Sequence, residues 1–134
     1  WCTYTDPELA QIGLSEAAAR NRFGDRVRVL RAALADNDRA RTQRLEDGLV
    51  KVVTGPRGRV LGAAIAGPDA GELIQPWCLA VQRGLRISAL AGFVPPYPTL
   101  GEASKRAAGS YYAATLFGAR TRALVRLLAR LPVW

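Results

Sequence analysis

The chain contains no histidine, which removes the commonest general base and the commonest metal ligand. Cys2 and Cys78 stand 76 positions apart and form neither a CxxC pair nor a zinc-ligand spacing. Each reads as a buried free thiol, because free cysteine behaves as a small hydrophobe. A disulfide between them is left open, although nothing in the spacing demands one. With no disulfide framework, a cytoplasmic location is expected. Two acidic residues sit three positions after a capping type: Glu72 after Asp69, and Glu102 after Thr99. Both spacings fit a capping box, in which the carboxylate returns to the N-cap amide. No metal site is expected.

The remaining chemistry is cationic. The net charge is +8, and arginine outnumbers lysine seventeen to two. Residues 103–134 hold Lys105, Arg106, Arg120, Arg122, Arg126 and Arg130 and no acid, so most of the excess lies in the last quarter. A basic tail on a nearly neutral body argues against nucleic-acid binding. The length of 134 residues implies one domain able to bury a core without metal or disulfides. The N-terminus has neither Met nor a signal pattern. A chain that begins Trp1-Cys2-Thr3 is expected to be a piece of something longer.

The elements that must position these residues follow from periodicity and turn chemistry. Trp1–Thr5 and Leu9–Gly13 read as short strands around an Asp6-Pro7-Glu8 turn. Ser15 is placed as the N-cap of a helix that Gly24 closes. Arg26–Leu34 alternates, with Val27, Val29 and Ala33 on one face and Arg26 and Arg28 on the other. Gly48–Thr54 and Arg59–Ala66 form a hairpin across Gly55-Pro56-Arg57-Gly58. The small run Gly62-Ala63-Ala64 implies a close neighbour on that strand. Asp69 opens a helix carrying Leu73, Ile74, Trp77 and Val81 on one face, kinked by Pro76. Phe93–Pro98 is extended and stiff, and Thr99 opens a helix to about residue 117. A last helix over 120–131 segregates Leu124, Leu127, Leu128 and Leu131 from Arg122, Arg126 and Arg130. The fold class expected is α+β, an antiparallel sheet with helices on one face. Residues 1–117 form the domain, and 118–134 form a basic amphipathic helix packed on it or extending from it.

Three segments in order carry a resemblance. They are Thr5-Asp6-Pro7-Glu8-Leu9-Ala10-Gln11-Ile12-Gly13-Leu14-Ser15-Glu16; the hairpin strands with Ala70-Gly71-Glu72-Leu73-Ile74; and Tyr97-Pro98-Thr99-Leu100-Gly101-Glu102. Together they resemble the C-terminal dimerisation domain of the pyridine nucleotide–disulfide oxidoreductases, the flavoenzyme family of lipoamide dehydrogenase and glutathione reductase. The resemblance runs from residue 1 to about 117. It implies an FAD domain and an NAD(P) domain upstream, a homodimer, and no cofactor held by this piece alone. No GxGxxG and no redox CxxxxC occur in the chain.

In the family the third segment reads His-Pro-Thr-x-x-Glu, where the His is a general acid–base and the Glu orients it. Here Tyr97 takes the His position and Glu102 the Glu position. The resemblance therefore implies catalytic roles for Tyr97 and Glu102 in the intact dimer, with Tyr97 hydrogen-bonded by Glu102. It also implies that Tyr97 and Pro98 face the partner's FAD, with a cis bond before Pro98. A phenol titrating near 10 is a poor base at neutral pH, but it can donate a hydrogen bond or act as an acid. Each residue keeps a plainer reading: Glu102 as a cap, Tyr97 as interface packing. Tyr111, Tyr112 and the helix 103–117 are candidates for the two-fold interface. The alternative function is a basic module whose last helix engages a membrane surface or another protein.

Overall fold

The computed structural model describes residues 1–116 together with 118, 121, 125, 126 and 129. Five strands form one wholly antiparallel sheet in the order β1-β2-β5-β4-β3. They are β1 (Cys2–Thr3), β2 (Glu8–Gly13), β3 (Arg28–Ala33), β4 (Leu49–Thr54) and β5 (Val60–Gly67). The helices are α1 (Glu16–Phe23), α2 (Asp38–Gln43), α3 (Ala70–Leu73), α4 (Gln75–Gln82), α5 (Ile87–Ala91) and α6 (Glu102–Leu116). The expected order of strands and helices is present, and the class is α+β. The last helix expected over 120–131 lies outside the described residues except at isolated positions.

Strand pairing follows the alternation of side chains. Leu30 pairs with Val52 and Ala32 with Val50, while Ala10 and Val50 both pair with Ile65. These side chains face the main core, where they meet Trp77, Ile87, Leu90 and Ala107. Helix α6 crosses β3 and β4, and α4 crosses β5 and β2. This helical layer lies on one face, as expected. Helix α1 covers part of the other face, where Ala19, Val27 and Val53 form a second small cluster with Val29 and Phe23. That second cover corrects the reading of β3. Its core face carries Leu30 and Ala32, whereas Val29 turns to the α1 side. Arg28 stays at the exposed end, 4.6 Å from the Tyr111 ring centre. A strand with both faces covered has no single apolar side.

The helix ends show which caps operate. Ser15 accepts from the Ala18 amide at 3.2 Å, the expected N-cap of α1. The Asp69 cap does not form. Asp69 has a φ of 54°, and its side chain makes no capping bond. Glu8 on β2 accepts instead from the Gly71 amide at 3.0 Å, so a strand caps the helix beside it. Glu72 accepts from Gln75 Nε2 at 2.8 Å. Where one helix kinked at Pro76 is expected, the chain forms two, α3 ending at Leu73 and α4 beginning at Gln75 with Pro76 in its first turn. The tight approach on β5 is also real. A side chain at Gly62 would collide with the Leu14 carbonyl. Neither cysteine is bridged: Cys2 and Cys78 are free and half-buried against the core.

Candidate functional site

The candidate site is the turn that leads into α6. Its anchor is Asn37, a residue only 3% exposed. The Asn37 side-chain oxygen accepts from the Ala40 amide at 2.9 Å and caps α2. Its Nδ2 donates to the Thr99 carbonyl at 3.0 Å. One buried amide therefore fixes the start of α2 and the start of α6 relative to each other. Burying it is tolerable because both its functions are satisfied.

The rest of the turn is tied internally. The Thr99 hydroxyl donates to the Pro96 carbonyl at 2.8 Å. The Thr99 amide donates to Glu102 Oε2 at 3.2 Å, so the carboxylate arm of the expected capping box is present. The other arm is absent, because the Thr99 hydroxyl points back to Pro96. Leu100 is buried under the turn, and the Tyr97–Pro98 peptide is cis. Further along α6, Trp77 Nε1 donates to Ser104 Oγ at 3.0 Å in the core, locking α4 to α6.

Tyr97, Pro98 and Glu102 are thus brought into one short segment, but not in the arrangement expected. The Tyr97 phenol donates to Asp38 Oδ2 at 3.1 Å, not to Glu102. The Glu102 carboxylate is turned towards the backbone of Thr99. The correction has a simple cause: the helix start needs a carboxylate on its free amide, and Asp38 lies within reach of the phenol. The Asp38 hydrogen bond, followed by its negative charge, raises the Tyr97 pKa above the ordinary 10, with a smaller contribution from Glu102. A neutral phenol is therefore held as a donor. Tyr97 remains 70% exposed.

Asp38 and Asn37 are the site residues that sequence reasoning passed over. The signal available was the Asn37-Asp38 pair at the head of a polar run, a pattern that marks an N-cap. Nothing in that pattern indicates that the pair meets residues 97 and 99.

Around the turn the surface is apolar. Phe93 and Val94 are exposed, and Leu73, Pro76, Leu90 and Pro96 line an adjoining groove of about 220 Å³. Tyr111 and Tyr112 are half-buried on α6 and meet edge to face at 5.1 Å. The sheet is antiparallel throughout and contains no βαβ unit among the described residues.

Residues 1–108 match the sequence family described as the dimerisation domain of pyridine nucleotide-disulphide oxidoreductases. The chain is 40% identical over 106 residues to a dihydrolipoyl dehydrogenase of Thermus scotoductus, covering 78% of this chain and 23% of that protein. It is 39% identical over 105 residues to the mitochondrial dihydrolipoyl dehydrogenase of Schizosaccharomyces pombe, covering 78% and 20%. LpdA from Mycobacterium tuberculosis is similar in structure, with a TM-score of 0.76 at 28% identity over 83% of this chain and 24% of that one. The HOCl-induced flavoprotein disulfide reductase RclA from Escherichia coli shares the fold, with a TM-score of 0.75 at 24% identity over 81% and 25%. The chain spans between a fifth and a quarter of the length of the curated relatives it matches. Sheet order, helical layer and matched sequence agree, and the chain belongs to the dimerisation-domain family of the pyridine nucleotide-disulphide oxidoreductases.

Proposed function

We propose that this domain joins two subunits of an FAD-dependent NAD(P)H oxidoreductase and presents Tyr97 and Pro98 to the partner subunit's active site. The observation that carries the reading is the turn at 97–102. A buried asparagine and a helix cap fix the backbone of this turn, and the Tyr97 phenol on it is exposed while bonded to Asp38. Apolar surface beside it, at Phe93 and Val94, suits a subunit contact. In this reading the neutral Tyr97 phenol releases Asp38 when it donates its single O–H to the partner's site, and Glu102 positions the turn rather than the phenol. FAD and NAD(P) belong to domains upstream in the intact enzyme. In this reading catalysis belongs to the intact dimer, and the domain alone does none.

The test is Tyr97→Phe in the intact flavoenzyme. Loss of one donor near the reacting groups should lower turnover by about tenfold while the dimer persists. Unchanged turnover at every pH would remove the phenol from the mechanism.

A further inference from the structure

We propose that a cleft at the hairpin end of the sheet binds a small organic polyphosphate, one with at least two phosphates beside an apolar ring. The cleft has a volume of about 760 Å³, within the range of small-molecule sites. Arg22, Arg26, Arg57, Arg59 and Arg86 line it, and no acidic residue does. These side chains come from α1 and the turn after it, the β4–β5 hairpin, and the segment before α5.

The five charges are not neutralised locally. The ion pairs among the described residues all converge on Glu16, and they use Arg20, Arg31 and Lys51. None of the five cleft arginines has a carboxylate within ion-pair distance among the described residues. Five like charges around one concavity repel one another, and a multivalent anion relieves that repulsion. Arginine suits the task because its planar fork pairs phosphate oxygens two at a time.

Three of the guanidinium groups, on Arg22, Arg26 and Arg59, have contacts of their own, and the backbones of Arg57 and Arg86 are fixed. The backbones of Arg59 and Arg86 face each other in an isolated antiparallel bridge. The Val60 amide donates to the Leu85 carbonyl at 3.0 Å. The Arg59 guanidinium lies against Gly84, where φ is 60° and a side chain would crowd it. Arg26 Nε donates to the Phe23 carbonyl at 3.4 Å, and Arg22 lies 5.3 Å from the centre of the Phe23 ring. Arg57 stands at the hairpin tip with a φ of 57°. Between them, Phe23, Leu61 and Val81 supply an apolar wall. A bare inorganic anion makes no use of such a wall, whereas a planar ring does. The concavity fits a small ligand better than an acidic chain lying across a flat face. Tyr97 belongs to the opposite end of the sheet, about 20 Å away by strand length. The hairpin end is marked by the Arg28–Thr54 pair and the Tyr97 end by the Ala33–Leu49 pair.

Calorimetric titration of the full 134-residue chain with ATP, pyrophosphate and adenosine tests this proposal. ATP should saturate one site per chain, pyrophosphate should bind about tenfold more weakly, and adenosine should not bind measurably. Arg57→Ala should weaken ATP about tenfold, and Arg59→Ala/Arg86→Ala about a hundredfold. Arg39→Ala, an equal charge change on exposed α2, should alter affinity by less than about twofold. All of these arginines are exposed, so the fold should survive, and near-ultraviolet circular dichroism checks it. The single variants decide the matter if the double variant unfolds. Absence of saturation at millimolar ATP overturns the proposal. So does an Arg39→Ala effect as large as that of Arg57→Ala. Tighter binding of a polyglutamate peptide, sensitive to the same variants, would overturn it too and give the cleft to an acidic polypeptide.

Discussion

The phenol of Tyr97 and the carboxylate of Asp38 illustrate how one contact sets a protonation state. Donation to an anion favours the protonated phenol, so the Tyr97 pKa lies above 10. The bond's contribution is complete below the ordinary value and is lost as pH rises through the higher folded value. Asp38→Asn removes the charge and should bring the Tyr97 titration back towards 10, read by phenolate absorbance. No movement would show that Asp38 does not govern the phenol. Asn37 carries a different burden, since it is buried and bonds at both ends. Asn37→Ala leaves the Thr99 carbonyl and the α2 amide short of partners, at a cost of about 2–3 kcal/mol. Urea denaturation reads that cost, and a loss of under about half a kcal/mol would contradict the anchoring role. The amino-acid order disclosed Tyr97, Pro98 and Glu102 because they form one contiguous segment. It did not disclose Asp38, which lies 59 positions away from the phenol it receives. Contacts of that separation leave no periodic trace in a single sequence.

At the scale of elements, antiparallel strands were legible because a hairpin announces itself by alternation and a Gly/Pro turn. The helix caps were less so. The Asp69–Glu72 spacing is right for a capping box, yet Glu8 from β2 takes the amide. Local spacing cannot report a competitor from another element. The two-sided cover of β3 was likewise hidden, since it depends on where α1 folds back. Glu16 fastens that helix to the sheet. It accepts from Lys51 at 2.8 Å and Arg20 at 3.0 Å and lies 3.4 Å from Arg31. The Lys51 and Arg20 hydrogen bonds hold its carboxyl below the ordinary 4.5. A depressed carboxylate stabilises the fold above its ordinary value, and that contribution is lost as pH falls through the folded value. Glu16→Gln should therefore flatten the acid limb of stability between neutral pH and the region below 4.5. Urea midpoints across that range measure it, and parallel curves for wild type and variant would contradict the account.

For the whole molecule, charge arithmetic and charge placement tell different stories. The composition puts the excess of basic residues in the last quarter of the chain. The fold nevertheless gathers five arginines from separate segments of the nearly neutral body into one cleft. No window of sequence contains that cluster, so only the folded chain reveals it. The family was legible for the opposite reason: its motifs are short, local and in fixed order, and residues 1–108 carry them. Among the described residues, no helix is long and apolar enough to cross a membrane. Phe93, Val94 and Tyr97 leave apolar surface exposed, and the proposed subunit contact gives it a protein surface as cover. A two-fold contact supplies one, because each copy offers the same patch to the other. Sedimentation equilibrium of the chain over a wide concentration range tests this most directly. A species of twice 14.4 kDa should persist to low micromolar concentration. A 14.4 kDa monomer at every concentration would contradict it.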